Sequence, residues 1–473
     1  MLCSGTKNNV IPSGFIKRRS KLTDETGSVL ATVLVTLMIL LAVFISAMTY
    51  ALSRYSHHVQ YHNRLVASHL AEAGIAYRRA TLDTHGITLD TTHQTTPNGG
   101  TITTITQPWG PYLLIESAGS FANQTAREFA IVGSEPPGYM DGAVTAFDPV
   151  TPLVVAGNTR IIGDVFTGPL GIMTGRFRGV DVTHDDYLHG VNHKDAVISP
   201  FKPDSSVTMA YTRLAADRKL QTSNQIAGSL VLGPADRDPF EDMRAIRIRN
   251  DLLMSNARLR PPVENKSMFV DGHAEISGTS HVPDLIEIVS DEFIVVRDSA
   301  VVDGALLFAA DSVILEGNAV FSGIVVCGGR VIVREQARLL YPSALINFAV
   351  PGTGKPIDSA GIYLQIKGYA ETVAVVERSD EDSRNNRVLY VDTATSVRGY
   401  LYSGEHVDLR GTVYGSVVTE QFRFEYPPTT YINWLTNCCI DRTKLDYHPC
   451  LPILKRSDSL VSTVIVSIIG GQR

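Results

Sequence analysis

From Ser28 to Ser53 the chain carries no charged side chain over 26 consecutive residues, SVLATVLVTLMILLAVFISAMTYALS. As a helix rising about 1.5 Å per residue, this run is ~39 Å long, more than a ~30 Å hydrocarbon core requires. Lys17-Arg18-Arg19-Ser20-Lys21 lie just before it. That basic segment favours a cytoplasmic N-terminus and export of whatever follows. Beyond Arg54 the pattern changes. Val59, Leu65, Val66, Leu70, Ala73 and Ile75 recur at mostly helical spacings among Arg, His, Gln and Glu. The same helix is expected to leave the membrane and continue as an amphipathic rod, stopping near Gly86.

Three readings compete for this stretch. A removable secretory signal has an apolar core of about 7–15 residues and a small-residue cleavage site. The run here is about twice that, and Ile45-Ser46-Ala47 makes a poor site. A plain signal anchor is the second reading. The third rests on particular residues: a charged leader ending in Gly27, the apolar helix, then Ala71-Glu72-Ala73-Gly74-Ile75. Over residues 18 to 80 this resembles the N-terminus of minor pilins of the PilX type. The resemblance implies that a prepilin peptidase cuts between Gly27 and Ser28 on the cytoplasmic side. It also implies that the helix stays in inner-membrane lipid and later packs among other pilin or pseudopilin subunits. Thr32, Ala71, Glu72, Ala73 and Gly74 would be its packing positions. The chain departs from the major-pilin pattern at Thr32, the fifth mature position, where those proteins carry Glu. It departs again at Ser28, where they begin with Phe.

The 473 residues suffice for two or three domains, and 44% hydrophobic with 19% charged residues describe a folded chain. The net charge is −6. Residues 1–27 hold five basic and two acidic groups, so the negative balance lies in the exported part. With no basic exported face, nucleic acid is not an expected partner. Cys327 sits in an apolar run and reads as a buried thiol. Cys438 or Cys439 bridged to Cys450 would close a short loop in an oxidising compartment, with the pairing open.

Residues 98–134 read as a small antiparallel meander of three strands, with a turn at Pro108-Trp109-Gly110-Pro111. From about residue 140 an internal repeat begins. The phrases IVVRDSAVVDGALL from Ile294, VILEGNAVFSGIVV from Val313 and VIVREQARLLYPSA from Val331 align, with alanines at 300, 319 and 337. Each has an apolar triplet, a polar turn, Ala, and further apolar stretches separated by a turn. Short strands of this kind cannot bury their inward side chains alone. Coils of ~18–20 residues stacked ~4.8 Å apart share one core. The pattern therefore predicts a parallel β-solenoid over 140–435 and resembles bactofilin-like, polymer-forming β-helix domains. Residues 171–265 are read as an insertion or irregular first part. Residues 377–387 are read as a polar loop, 436–473 as a C-terminal cap or tail, and Val461–Ile469 as a final edge strand. The fold class is α+β: a transmembrane and amphipathic helix over 28–85, a small antiparallel unit, then a solenoid.

No constellation for chemistry emerges. His184-Asp185-Asp186-Tyr187-Leu188-His189, with His193, has metal-ligand types without metal-site spacing. Asp303, Glu316 and Glu335 fall at different phases of the repeat and are expected to be corner residues. Pro351-Gly352-Thr353-Gly354-Lys355 lacks phosphate-loop spacing. No cofactor, metal or catalytic residue is expected. The leading reading is a non-catalytic minor pilin or pseudopilin; the alternative is an anchored β-helix that binds or degrades envelope polysaccharide.

Overall fold

The computed structural model describes residues 25–85, 87–178, 181–183, 186–194, 205–240, 243–348, 360–377, 387–446, 451–453 and 463–470. The fold is α+β: a long apolar N-terminal helix, a small antiparallel sheet, and a large parallel sheet wound into a solenoid. Helix α1 runs Glu25–His85. Two compact units divide the chain within it, Met1–Asn63 and Arg64–Arg473.

In the second unit, the antiparallel sheet is built from β1 (Thr91–Thr95), β2 (Thr101–Trp109), β3 (Tyr112–Phe121) and β4 (Gln124–Ser134). A fifth strand, Thr463–Gly470, pairs antiparallel with β4 from the far end of the sequence. The expected three-strand meander thus gains a strand on each side; the C-terminal edge strand, expected within a cap or tail over 436–473, joins this sheet, and Cys439–Asp441 of that expected cap is a coil strand paired on both sides. Alternation explains the sheet's two burials. Leu113, Ile115, Ala130 and Val132 face one way, into a cluster with Ile75 and Leu82 of α1. Tyr112, Leu114, Phe129 and Ile131 face the other, into a cluster with the solenoid's Leu306, Phe308, Ile324 and Val326. The layers of this unit are therefore helix, antiparallel sheet and solenoid.

The solenoid has three faces. On the covered face, under the antiparallel sheet, the strand segments are buried without a break, as in Ile286–Ser290 and in residues 323–327 and 372–376 of the longer strands Val320–Cys327 and Gly368–Val376. They are buried on both sides, so alternation has no reason to appear. Leu307 and Val325 point inward, while Leu306 and Ile324 point out to the sheet. On the open face, Phe293–Val296, Ser312–Leu315 and Val388–Val391 alternate half-buried and buried. The repeat's alanines, Ala300, Ala319 and Ala337, are buried at the corner leading to the third face. Two positions before each stands a residue with left-handed backbone: Asp298 at φ 63°, Gly317 at φ 68° and Glu335 at φ 61°. That conformation explains the polar turn before every alanine.

The coils do not stack in sequence order. Pairing climbs from Gln225–Ile226 through Ala245–Ile248 and onward to Thr412–Tyr426. There the next coil is the first one in the chain. Val144–Ala146 pairs with Val417–Thr419, Val154–Ala156 with Trp434–Thr436, and Arg160–Ile162 with Cys439–Asp441. Val165–Thr167 and then Asn192–Lys194 continue beyond it. The chain thus enters the stack near one end, winds outward, and returns to the opposite end to begin the remaining coils. From Asn192 to Gln225 on the covered face this return crosses about 12 strand spacings, ~58 Å. Helix α2, Ser205–Gln221, supplies about 26 Å of it.

The stretch 171–265, expected as an insertion or an irregular first part, is instead divided between coils at the two ends of the stack. Ile172–Thr174, Leu188–His189 and Asn192–Lys194 are coil strands, and coil strands resume at Gln225. Within 171–265 the described stretch that departs from the coil is the one holding α2. The richer Arg, Asp and Pro content of 225–265 reflects coils near the end of the stack. There Arg247 pairs with Asp271, and Asp238 accepts from the Phe240 and Arg260 amides.

Candidate functional site: the N-terminal helix and its seat

The first part of α1, within the Met1–Asn63 unit, is apolar on every side. Leu30 is 71% and Phe44 65% exposed, and no other described helix is long and apolar enough to cross a membrane. Several of its hydroxyls are satisfied within the helix. Thr36 Oγ1 donates to Thr32 O at 3.0 Å, Ser46 Oγ to Ala42 O at 2.8 Å and Thr49 Oγ1 to Ile45 O at 2.8 Å. A rod with its polar groups so tied can sit in hydrocarbon without an orphaned donor. Thr32 lies on this exposed rod. Gly27 and Ser28 fall in the first turn of α1, so a cut between them would need local unwinding. The leader up to residue 24 lies outside the described residues.

From Arg64 onward α1 has one buried stripe: Ala67, Ala71, Ile75, Arg78 and Leu82. The spacings of four, four, three and four put these side chains over one another. Close approach is possible because both surfaces are small. A Cβ on Gly119 of β3 would stand 2.2 Å from Ala67 O and 2.6 Å from Ala71 N. A Cβ on Gly74 would stand 2.2 Å from Ser117 Oγ. Of the expected packing positions, Ala71 and Gly74 are therefore covered by the protein's own sheet. Glu72 and Ala73 face outward. The physical reason is geometric: positions one turn apart share a face, and positions one apart do not.

Arg78 is the fastener that the sequence reading missed. It is 2% exposed, and its Nε donates to Thr106 Oγ1 of β2 at 2.6 Å. Its terminal nitrogen donates to Thr88 O at 2.6 Å and pairs with Asp90 in the segment after the helix. A buried guanidinium is tolerated because every partner is a charged or strongly polar oxygen. The available signal was its place in the small-residue stripe, eleven positions after Ala67. Nearby, Ser68 Oγ donates to Glu128 Oε1 at 3.1 Å. Burial pushes the Glu128 carboxyl up, with that hydrogen bond opposing it.

No family model matches the chain, and no curated protein does. Among solved structures it is similar to the competence-associated pilin ComZ from Thermus thermophilus. The identity is 13% and the TM-score 0.20, across 87% of this chain and 98% of that one. A likeness that slight says nothing about role.

The remaining sequence candidates do not converge. Cys438 and Cys439 are free thiols, and burial pushes Cys438 up to about 12. Cys450, the other half of the expected bridge, lies outside the described residues. His184 and Asp185 also lie outside them. His193 instead pairs with Asp164 at 2.9 Å and stacks on Phe166. Glu316 pairs with Arg334, and Glu335 accepts from the Gly317 amide at 3.0 Å. Among the described residues no group of three or more potential metal ligands is assembled.

Proposed function

We propose that this chain is a non-catalytic, pilin-like subunit, anchored in the inner membrane by α1 before it joins a filament. The observation that carries the reading is the two-part character of one helix. Its first part is apolar and exposed on all sides, and the part after Arg64 is seated on an antiparallel sheet through Ala67, Ala71 and Gly74. In this reading a prepilin peptidase cuts after Gly27, leaving Ser28 as the first residue. Residues Ser28 to Arg54 then exchange lipid for the helices of other pilin or pseudopilin subunits, with Thr32 among the contacts. The exported part carries the solenoid, whose bulk suits a tip or initiating position in a type IV pilus or type II secretion filament. N-terminal sequencing of the protein from membranes tests this. A start at Ser28 that depends on the prepilin peptidase supports it; a start at Met1 or after Ala47 overturns it.

A second reading, an anchored β-helix that binds envelope polysaccharide, has one observation in its favour. Tyr363 and Tyr390 lie one above the other on the open face, ring centroids 6.4 Å apart, and Tyr431 packs on Trp434 nearby in sequence. Partly exposed aromatic rings are surfaces on which sugar rings stack.

A further inference from the structure

Directly after the apolar run, one half of α1 changes chemistry. Tyr50, Arg54, His57, His58, Tyr61 and His62 are all exposed. At about 100° per residue they occupy roughly one half of the helix circumference, and Ser53, Ser56, Val59, Gln60 and Asn63 take the rest. Between Glu25 and Glu72 the sequence holds no carboxylate at all. Arg54 turns back along the helix: its Nε donates to Tyr50 OH at 3.0 Å, and its guanidinium lies 5.5 Å from that ring's centroid. A cation leaning on a tyrosine at the end of an apolar run has the arrangement of side chains that reach from a helix to a headgroup layer.

We propose that this half-face is an anionic-lipid collar, binding the phosphate headgroups of the outer leaflet of the membrane that α1 spans. The proposal rests on the membrane reading above. Its occupant follows from charge: the face carries one fixed cation and three imidazoles, with no carboxylate to repel phosphate, and it is continuous with the apolar rod. Within the Met1–Asn63 unit no other described element packs on it.

The test uses the full chain in vesicles of phosphatidylcholine, alone or mixed with phosphatidylglycerol. After gentle extraction, retained lipids are counted by native mass spectrometry. Wild type should retain phosphatidylglycerol preferentially. Arg54→Gln should cut that preference by about fivefold, the weight of one cation at an anionic surface. The triple variant His57→Gln, His58→Gln, His62→Gln, which leaves the cation in place, should weaken it less than Arg54→Gln does. Variants that retain as much phosphatidylglycerol as wild type overturn the collar while the protein still floats with both vesicle types. A chain that floats with neither overturns the membrane reading itself.

Discussion

Asp148 shows how much one side chain can decide. It is buried and accepts from the Val150 amide at 2.7 Å, from Gln421 Nε2 at 2.9 Å and from Asn433 Nδ2 at 3.2 Å, besides Thr151. Burial opposes its ionisation, but the hydrogen bonds from Thr151, Val150 and Gln421 outweigh that and hold the carboxyl below its ordinary range. A carboxyl depressed by folding adds stability above its unfolded value and loses it as pH falls through the folded one. Its contribution should therefore be full at neutral pH, begin to decline as pH falls below about 4, and be lost as pH passes through the lower folded value. Asp148→Asn should lower the urea midpoint at neutral pH, and the gap to wild type should close on acidification. Gly119 is a second decisive residue. Valine there drives side-chain carbons into the backbone of α1 at Ala67, and should cost about 3 kcal/mol in urea unfolding of the detergent-solubilised chain. Full stability in Gly119→Val would mean that the helix is not seated there.

At the scale of the element, the helix seat and the three solenoid faces follow different rules. Arg78 joins α1, β2 and the segment after the helix by charge-assisted hydrogen bonds. Arg78→Met keeps much of the apolar stem and removes the fork, leaving Thr106 and Asp90 short of a donor. A loss of about 2–3 kcal/mol is expected, read from the urea midpoint. Lysine should recover only part of it, because a single ammonium cannot reach Thr106, Thr88 and Asp90 together. That the solenoid segments are strands was already written in the chain, but not which face each one lies on. ALLFA at 305–309 and GIVVC at 323–327 are continuous because both their sides are buried, whereas FIVV at 293–296 alternates in burial with one side wet. The apolar letters alone do not separate the two cases, since Val295 is as apolar as Val296. Only the presence of a covering sheet tells which outward valine is dry.

At the scale of the whole Arg64–Arg473 unit, the unusual feature is the closure of the stack by its own first coils. Val154 and Trp434 are register partners across that junction. Cysteines placed at both positions should form a disulfide under mild oxidation, since paired neighbours in a sheet lie within the reach of that bond. Peptide mapping of the full chain should recover the 154–434 link within one molecule. Coils stacked in simple sequence order would leave those positions far apart and unlinked.

The apolar rod, the meander's strands, the coil period and the polar turn before each alanine were legible in the chain alone. Each is a local matter of side-chain spacing and backbone preference. The chain also held the stripe from Ala67 to Leu82, although nothing local says what covers it. That this stripe meets β2, β3 and β4, that Thr463–Gly470 joins the same sheet, and that coil 144–162 lies on coil 412–441 came from long-range packing. The reason is that coils with one shared pattern can pair with any neighbour equally well. The choice among neighbours falls to polar contacts between residues 273 to 285 apart, such as Gln421 and Asn433 on Asp148, which no short window of sequence contains.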